Sequence, residues 1–323
     1  MEDAVTILFT SAGRRTQLAE CFREDARRIG VRLRVLAADM EPELSPACRR
    51  ADSRFKVPRA THEDYVSAIH EICTRENVAL VVPTIDTELL PLSYARGRLA
   101  STGTRILISS PEVVSLAGNK VATAGEFSAR GVQTPRTLGL QDYLMDPGGL
   151  RWPVIAKPVA GSASRGVVRP TSIAQLGELD GTEAYLVQEL WTGAEYTVNV
   201  FFDEAGLLRC AVPHRRLEVR AGEVSKGRTE RVEQLISAAW KLPGIVPGAR
   251  GPLCFQAIVT DSGDYAVFEL NARFGGGYPL AHHAGARMSQ WILEEITGRD
   301  VSANDVWAAG KTMLRYDSAV FID

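Results

Sequence analysis

From Val5 to Ile108 the sequence alternates short apolar runs with helical stretches, and that alternation constrains the fold more than any other feature. Val5–Phe9 reads as a strand, Thr10-Ser11-Ala12-Gly13-Arg14-Arg15 as a connection, and the next residues as a helix to about Ile29. A strand at Leu33–Ala38 ends on Asp39. A helix near His62–Glu76, a strand at Ala79–Val82, a helix from about Thr87 and a strand at Arg105–Ile108 follow. Strands that alternate with helices pair in parallel through right-handed crossovers. The spacing therefore predicts a Rossmann-like unit over residues 1–115. A dinucleotide fingerprint would need G-x-G-x-x-G after the first strand, and only S-A-G-R-R stands there, which argues against NAD. The Gly13–Arg15 turn opens a helix and serves equally as an anion seat or as a plain turn. Asp39, Thr84, Asp86 and Glu88 sit at strand ends, where open α/β sheets place ligands and where helix caps also occur.

The texture changes after Pro111. Asn119-Lys120 begins a helix to about Gly131, and Trp152-Pro153-Val154-Ile155-Ala156-Lys157-Pro158 is a strand with a lysine at its end. Residues 160–167 form a small glycine-bounded loop whose backbone N–H groups suit phosphates, before a strand resumes at Val167–Arg169. Tyr185–Trp191 and Glu195–Phe202 are further strands, and a long antiparallel section runs from Leu207 to Arg220. Glu223–Gly227 reads as a mobile loop, Arg231–Leu242 and Pro279–Gly298 as helices, and Leu314–Ile322 as a closing strand. Asp261-Ser262-Gly263-Asp264 is a hairpin turn between Leu253–Val259 and Tyr265–Arg273, and pairing of those strands brings Gln256 near Glu269 and Asn271. Side chains alternate along a strand. Phe268, Leu270 and Ala272 are thus expected in the core, with Glu269, Asn271 and Arg273 on the opposite face. A carboxylate, an amide oxygen and a guanidinium in one row suit a magnesium ion shared with phosphates.

Composition narrows the partners. A net charge of −2 speaks against nucleic acid and acidic membranes. Five scattered cysteines without C-x-x-C spacing point to free thiols in a reducing compartment, and no apolar run is long enough for a membrane span. With no signal peptide at Met-Glu-Asp, the expectation is a cytoplasmic protein. Only six of the 37 basic residues are lysines, so a lysine kept where arginine is the habit marks a need for a compact charge.

Asn119-Lys120, V-I-A-K-P at 154–158, G-S-A-S-R-G-V at 161–167, V-Q-E-L-W at 187–191, G-A-E-Y-T at 193–197, Gln256 and F-E-L-N-A-R-F-G-G-G at 268–277 resemble, in order, the ATP-grasp superfamily. The likeness is greatest to the ATP-binding unit of the carbamoyl-phosphate synthase large subunit in its stand-alone short form. The resemblance implies an α/β and α+β protein with three parts. These are a Rossmann-like pre-ATP-grasp domain (1–115), a small lid subdomain with the phosphate loop (116–190) and a C-terminal ATP-grasp domain carrying the metal and substrate site (191–323). It implies ATP with magnesium, two ions, manganese being an alternative. Lys120 and Lys157 would contact nucleotide phosphates, and Gly161, Ser162, Ser164 and Gly166 would close over them. Gln188, Glu189 and Leu190 would line the adenine, and Glu195 the ribose. Gln256, Glu269 and Asn271 would face the metal, and Arg273 the transferred phosphoryl group. Outside the shared motif, His214 and Arg215, with neighbouring Arg216, are candidates for the acceptor pocket, either as a carboxylate clamp or with His214 as a base; Lys226 is a weaker one. His282 and His283 diverge on a helix and suit packing better than a metal. The implied activity is carboxylate–amine ligation of small molecules through an acyl-phosphate, by a chain expected to form a homodimer. Phosphorylation of bicarbonate or carbamate, and non-catalytic nucleotide binding, are the alternatives.

Overall fold

The computed structural model describes residues 4–161, 166–179 and 184–322. The first unit contains β1 (Ala4–Thr10), α1 (Thr16–Arg28), β2 (Arg32–Asp39), α2 (Pro46–Arg50), β3 (Ser53–Lys56), α3 (Tyr65–Glu76), β4 (Leu80–Pro83), α4 (Asp86–Tyr94), α5 (Arg96–Ala100) and β5 (Arg105–Ile106). Its five strands pair in parallel in the order β3-β2-β1-β4-β5. The apolar runs are continuous because the sheet is buried on both faces. Ile7, Phe9, Val35 and Val82 pack with Phe22 of α1, while Leu8, Leu36 and Val81 pack with Ile69 of α3 and Leu92 of α4.

α6 (Pro111–Gly118) and α7 (Lys120–Ala129) pack on the last strand of the large sheet. The small unit then holds β6 (Thr137–Gly139), α8 (Leu140–Met145), β7 (Val154–Pro158), α9 (Ile173–Gly177) and β8 (Tyr185–Glu189), antiparallel in the order β6-β8-β7. It has its own core of Leu140, Tyr143, Val154, Ala156, Leu176 and Val187. The remainder comprises β9 (Ala194–Phe202), β10 (Leu208–Arg220), β11 (Glu223–Thr229), α10 (Glu233–Trp240), α11 (Leu242–Ile245), β12 (Gly251–Val259), β13 (Tyr265–Asn271), α12 (Tyr278–His283), α13 (Met288–Ile296) and β14 (Thr312–Leu314). These strands form one sheet in the order β13-β12-β9-β10-β11-β14.

Both cores of the parallel unit run on into this sheet. Val198, Val200, Phe255 and Leu270 join the cluster of α3 and α4, and Phe201, Phe274, Tyr278 and Trp291 join that of α1. A buried polar knot reinforces the second junction: Asp25 of α1 meets His282 Nε2 (3.0 Å), Arg287 Nε (2.6 Å) and the Ser289 hydroxyl (2.5 Å). His282 is thus a packing residue of this junction, and His283 points to solvent.

Several sequence expectations shift. The polar Glu223–Gly227 stretch is strand β11, paired with both β10 and β14, rather than a loop. The closing strand spans only three residues, since 315–322 make no ladder. Val167–Arg169 contributes one isolated bridge, Ala156 to Val168, instead of a strand. β3 escaped the sequence reading because Ser-Arg-Phe-Lys has no apolar run to announce it.

Candidate active site

The floor of the site is one face of the large sheet. Gln256 pairs with Glu269 on one side and Thr197 on the other, and Cys254 lies between Asn271 and Asn199. Residues directly opposite share a face, so Glu269, Asn271, Gln256 and Thr197 form one polar row over three strands. The Asn271 amide donates to Glu269 Oε1 at 3.1 Å.

β13 does not alternate as expected. Gln256 is opposite Glu269 but Ala257 is opposite Val267, which leaves Phe268 as the extra residue of a β-bulge. Val267 and Leu270, three apart, both enter the core, and Phe268 lines the cavity beside Glu269. Its expected core position is therefore corrected, and its ring lies 5.1 Å from Lys157 Nζ.

The cavity over this face, about 390 Å³, is roofed by the small sheet. Lys120, Lys157, Gly161, Gln188, Glu189, Leu190, Glu195, Gln256 and Glu269 all line it. Lys157 is buried at the end of β7, and burial lowers its pKa to about 8, with Glu269 favouring the charge and Lys120 opposing it. Lys120 Nζ donates to Gly161 O (2.8 Å), which ties α7 to the start of the glycine loop. The Gln188 side chain turns to Thr137 Oγ1 (2.7 Å), and Leu190 N donates to Pro153 O (2.9 Å). Ser162 and Ser164 lie outside the described residues.

Arg216 is the cavity-lining residue that sequence reasoning did not separate from its neighbours. Its Nη1 donates to Gln256 Oε1 (2.6 Å) and meets Glu195 Oε1 (2.7 Å), while Nη2 donates to Gly222 O (2.9 Å). Only 6% of its side chain is exposed, yet it lines the large cavity and a second one of about 200 Å³. Burial raises the Glu195 pKa, Arg216 opposes that shift, and Glu269 adds to it.

His214 and Arg215 line neither cavity. His214 is fully buried, its Nδ1 held 3.1 Å from the Asn199 amide, under the backbone of Gly277. Burial, with Arg216 and Arg315 nearby, lowers its pKa to about 3, so the ring is neutral and turned away from the reacting space. It is not placed to act as a base. Arg215 is on the opposite, exposed face of β10, as strand alternation requires. Lys226 sits on β11 and pairs with the Glu218 carboxylate at 2.7 Å, away from both cavities.

The second cavity joins the large sheet to the parallel unit. Arg273 forks onto Asp86 at 2.8 and 2.6 Å, and its Nη2 also reaches Asn271 Oδ1 at 3.3 Å. Burial works against the Arg273 charge, but Asp86 outweighs it and the pKa lies above the ordinary value. Glu223 takes Arg15 and Arg315, each at 3.0 Å. Burial pushes the Glu223 carboxyl up, and the two arginines more than reverse it. Gly275, Gly276 and Gly277 have ordinary negative φ, so conformational freedom does not explain them. Space does: an added Cβ would meet Cys254 Sγ at 3.0 Å, the Glu223 carboxyl at 3.0 Å and His214 Nε2 at 2.4 Å respectively. Of the other strand-end candidates, Thr84 lines the second cavity with its hydroxyl on the Thr10 and Ser11 carbonyls, and the remaining two are held in the scaffold. Asp39 accepts from the Gly13 and Glu41 amides. Buried Glu88 accepts from Ser11, Tyr65 and the amides of Thr84 and Ile85.

The donors of Gln256, Glu269 and Asn271 are all oxygens, the type a hard divalent cation takes. Among the described residues no cluster of three His, Cys, Asp or Glu offers a closed metal cage. A single carboxylate with two amides fits magnesium that enters with nucleotide phosphates as its remaining ligands.

Residues 7–107 match the family model described as the PylC-like N-terminal domain, and residues 117–277 match the ATP-grasp domain. The 5-formaminoimidazole-4-carboxamide-1-(beta)-D-ribofuranosyl 5'-monophosphate synthetase 2 of Methanosarcina mazei is 22% identical over 332 residues, covering 90% of this chain and 89% of its own. The solved biotin carboxylase of Campylobacter jejuni superposes with a TM-score of 0.74 at 15% identity, over 92% of this chain and 72% of its own. The L-amino acid ligase of Bacillus licheniformis gives 0.68 at 15%, over 94% and 76%. No helix among the described residues is long and apolar enough to cross a membrane.

Proposed function

From the premise that the chain belongs to the ATP-grasp superfamily, behind a PylC-like N-terminal domain, we propose that it joins a small-molecule carboxylate to an amine, forming ADP and phosphate. The observation that carries this reading is the meeting of two cavities at Arg216. One holds two lysines and three carboxylates under a separate small sheet; the other is bounded by arginines of both units. The first suits a nucleotide and the second an acceptor, and the phosphoryl group passes where they join. The names of the Methanosarcina synthetase and the Bacillus ligase belong to the same class of reaction and support it.

Lys120 and Lys157 would hold nucleotide phosphates as point charges, and Glu195 the ribose hydroxyls. A carboxylate oxygen of the acid substrate attacks the γ-phosphorus, the bond to the β-phosphate oxygen breaks, and ADP leaves. The amine nitrogen then attacks the acyl carbon, the bond to the phosphate oxygen breaks, and the amine proton departs with phosphate. Magnesium, when bound at Gln256, Glu269 and Asn271, offsets charge on the phosphate oxygens. Two ions, the number the sequence resemblance implies, would draw most of their ligands from the phosphates. Arg216 adds a cation at the junction, where charge accumulates on the transferred group. Arg273 fixes Asn271 and, through Asp86, the parallel unit, so its contribution to phosphoryl transfer is one of positioning. The roof of the small sheet keeps water from an acyl-phosphate that would hydrolyse.

The test is ADP release by the full chain with Mg-ATP and a panel of acid–amine pairs. Release that needs both members of a pair, with the amide found by mass, is the expected outcome. Release driven by bicarbonate alone, or none across the panel, would overturn the ligase reading.

A further inference from the structure

A third cavity, about 360 Å³, opens on the far side of Glu223 and shares Arg14, Arg15, Glu223, Gly275 and Gly276 with the acceptor cavity. Five arginines and three acids line it, giving 5 − 3 = +2. Three of those arginines are already matched. Arg15 and Arg315 share Glu223, and Arg220 pairs with Asp317 at 2.6 Å. Among the described residues the guanidinium groups of Arg14 and Arg50 make no hydrogen bond or ion pair, although Arg14 lies close enough to Glu223 to help hold that carboxyl down. Glu20 is the one acid in the lining without a partner.

The loop that carries Arg14 is fixed from three directions. Gly13 N donates to Asp39 Oδ2 (2.8 Å), and Gly13 O accepts from Ser45 Oγ (2.9 Å) and from Ala47 N (3.1 Å). These bonds tie the start of α1 to the start of α2, whose last residue is Arg50. The segments that carry Arg14 and Arg50 are therefore tied together at one cavity by backbone contacts. α1, thirteen residues long, begins on the same cavity at Thr16, Gln17 and Leu18, with no capping side chain, so its dipole adds to the positive field.

Resting on the ligase reading, we propose that the acceptor-side substrate carries a second anionic group, a carboxylate or a phosphate remote from the reacting end, which Arg14 and Arg50 bind at the start of α1. Uncharged amines and simple monocarboxylic acids leave that cavity unmatched and are poor substrates. Glu20 opposes a highly charged anion and limits the group to one or two charges.

The experiment titrates the full chain calorimetrically with ribose 5-phosphate (a phosphate monoester), glutarate (a dicarboxylate) and uncharged ribose. The same titrations are run on an Arg14→Gln/Arg50→Gln variant. Both positions are exposed, so circular dichroism and melting temperature are expected to stay at the wild-type values. Saturable binding of one anion, weakened at least ~10-fold in the variant with ribose silent in both, is the expected result; a lost charge-assisted contact has about that effect. Which anion binds decides between phosphate and carboxylate. Equal binding by wild type and variant, or no saturable binding of either anion, would refute the proposal. Mg-ATP binding, measured in parallel, reports on the ligase reading separately: its absence from wild type would remove that reading, while the anion result would still stand or fall by itself.

Discussion

Arg216→Ala removes one side chain that satisfies three acceptors. Its Nη1 serves both Glu195 and Gln256, and its Nη2 the Gly222 carbonyl. Stripping one partner from a fully buried ion pair costs about 3–5 kcal/mol. The Glu195 side chain is 33% exposed and can be partly hydrated, which reduces the cost to roughly 2–3 kcal/mol. A chain of this length has an unfolding entropy that makes 1 kcal/mol worth about 1.5 °C, so melting of the ligand-free protein falls by roughly 4 °C. Glu195 and Gln256 are also the groups proposed to meet ribose and metal. Mg-ATP should then replace the missing partner, and its stabilising shift in differential scanning fluorimetry should be larger in the variant than in wild type. Turnover moves the other way. ADP release should drop at least ~10-fold, because a charge at the junction of the cavities is lost, and Arg216→Lys should recover part of it, keeping charge without the fork. Unchanged melting and unchanged ADP release together would refute the placement of Arg216 between nucleotide and acceptor.

Lys157 gives a pH signature. Burial lowers its pKa to about 8, so the amine loses its charge as pH rises through that value. Mg-ATP affinity should fall across the same range in wild type and stay flat in Lys157→Met, which at pH 7 should itself bind at least ~10-fold more weakly by calorimetry. Glu269→Ala should keep its circular dichroism spectrum and lose magnesium-dependent ADP release, since the amides that remain are neutral ligands. Gly277→Ala should overpack His214 and cost about 1–3 kcal/mol in urea unfolding. His214→Ala in the same chain should return part of that, a coupling visible in a double-mutant cycle.

How far the sequence could be read depended on whether a residue's role was local. The parallel strands were legible because Val5–Phe9, Leu33–Ala38 and Ala79–Val82 are apolar without interruption, as burial on both faces requires. That Gln256 lies near Glu269 and Asn271 was legible because the Asp261–Asp264 turn sets the hairpin; regular register would oppose Gln256 to Phe268, and only the bulge brings Glu269 there. β11 was not, since Glu-Val-Ser-Lys-Gly-Arg-Thr has the composition of a loop and becomes a strand only between two neighbours. The choice among His214, Arg215 and Arg216 needed the phase of β10, and the signal was present in the apolar Cys210 and Val212, four and two residues before His214. Continuing that face reaches both His214 and Arg216, and only the glycine run folding over His214 separates them. The Arg273–Asp86 pair spans 187 positions, and no local pattern announces a contact of that range.

The bulge at Phe268 has a consequence for how such a site can diversify. With one residue spare, Val267 and Leu270 stay in the core while Glu269 and Asn271 stay on the floor. Deleting residue 268 would restore ordinary two-residue parity without displacing either set, and exchanging its side chain would reshape only the wall against Lys157. The extra residue uncouples the tailoring of the wall against Lys157 from the upkeep of the polar floor, so that a lineage can retune one without rewriting the other.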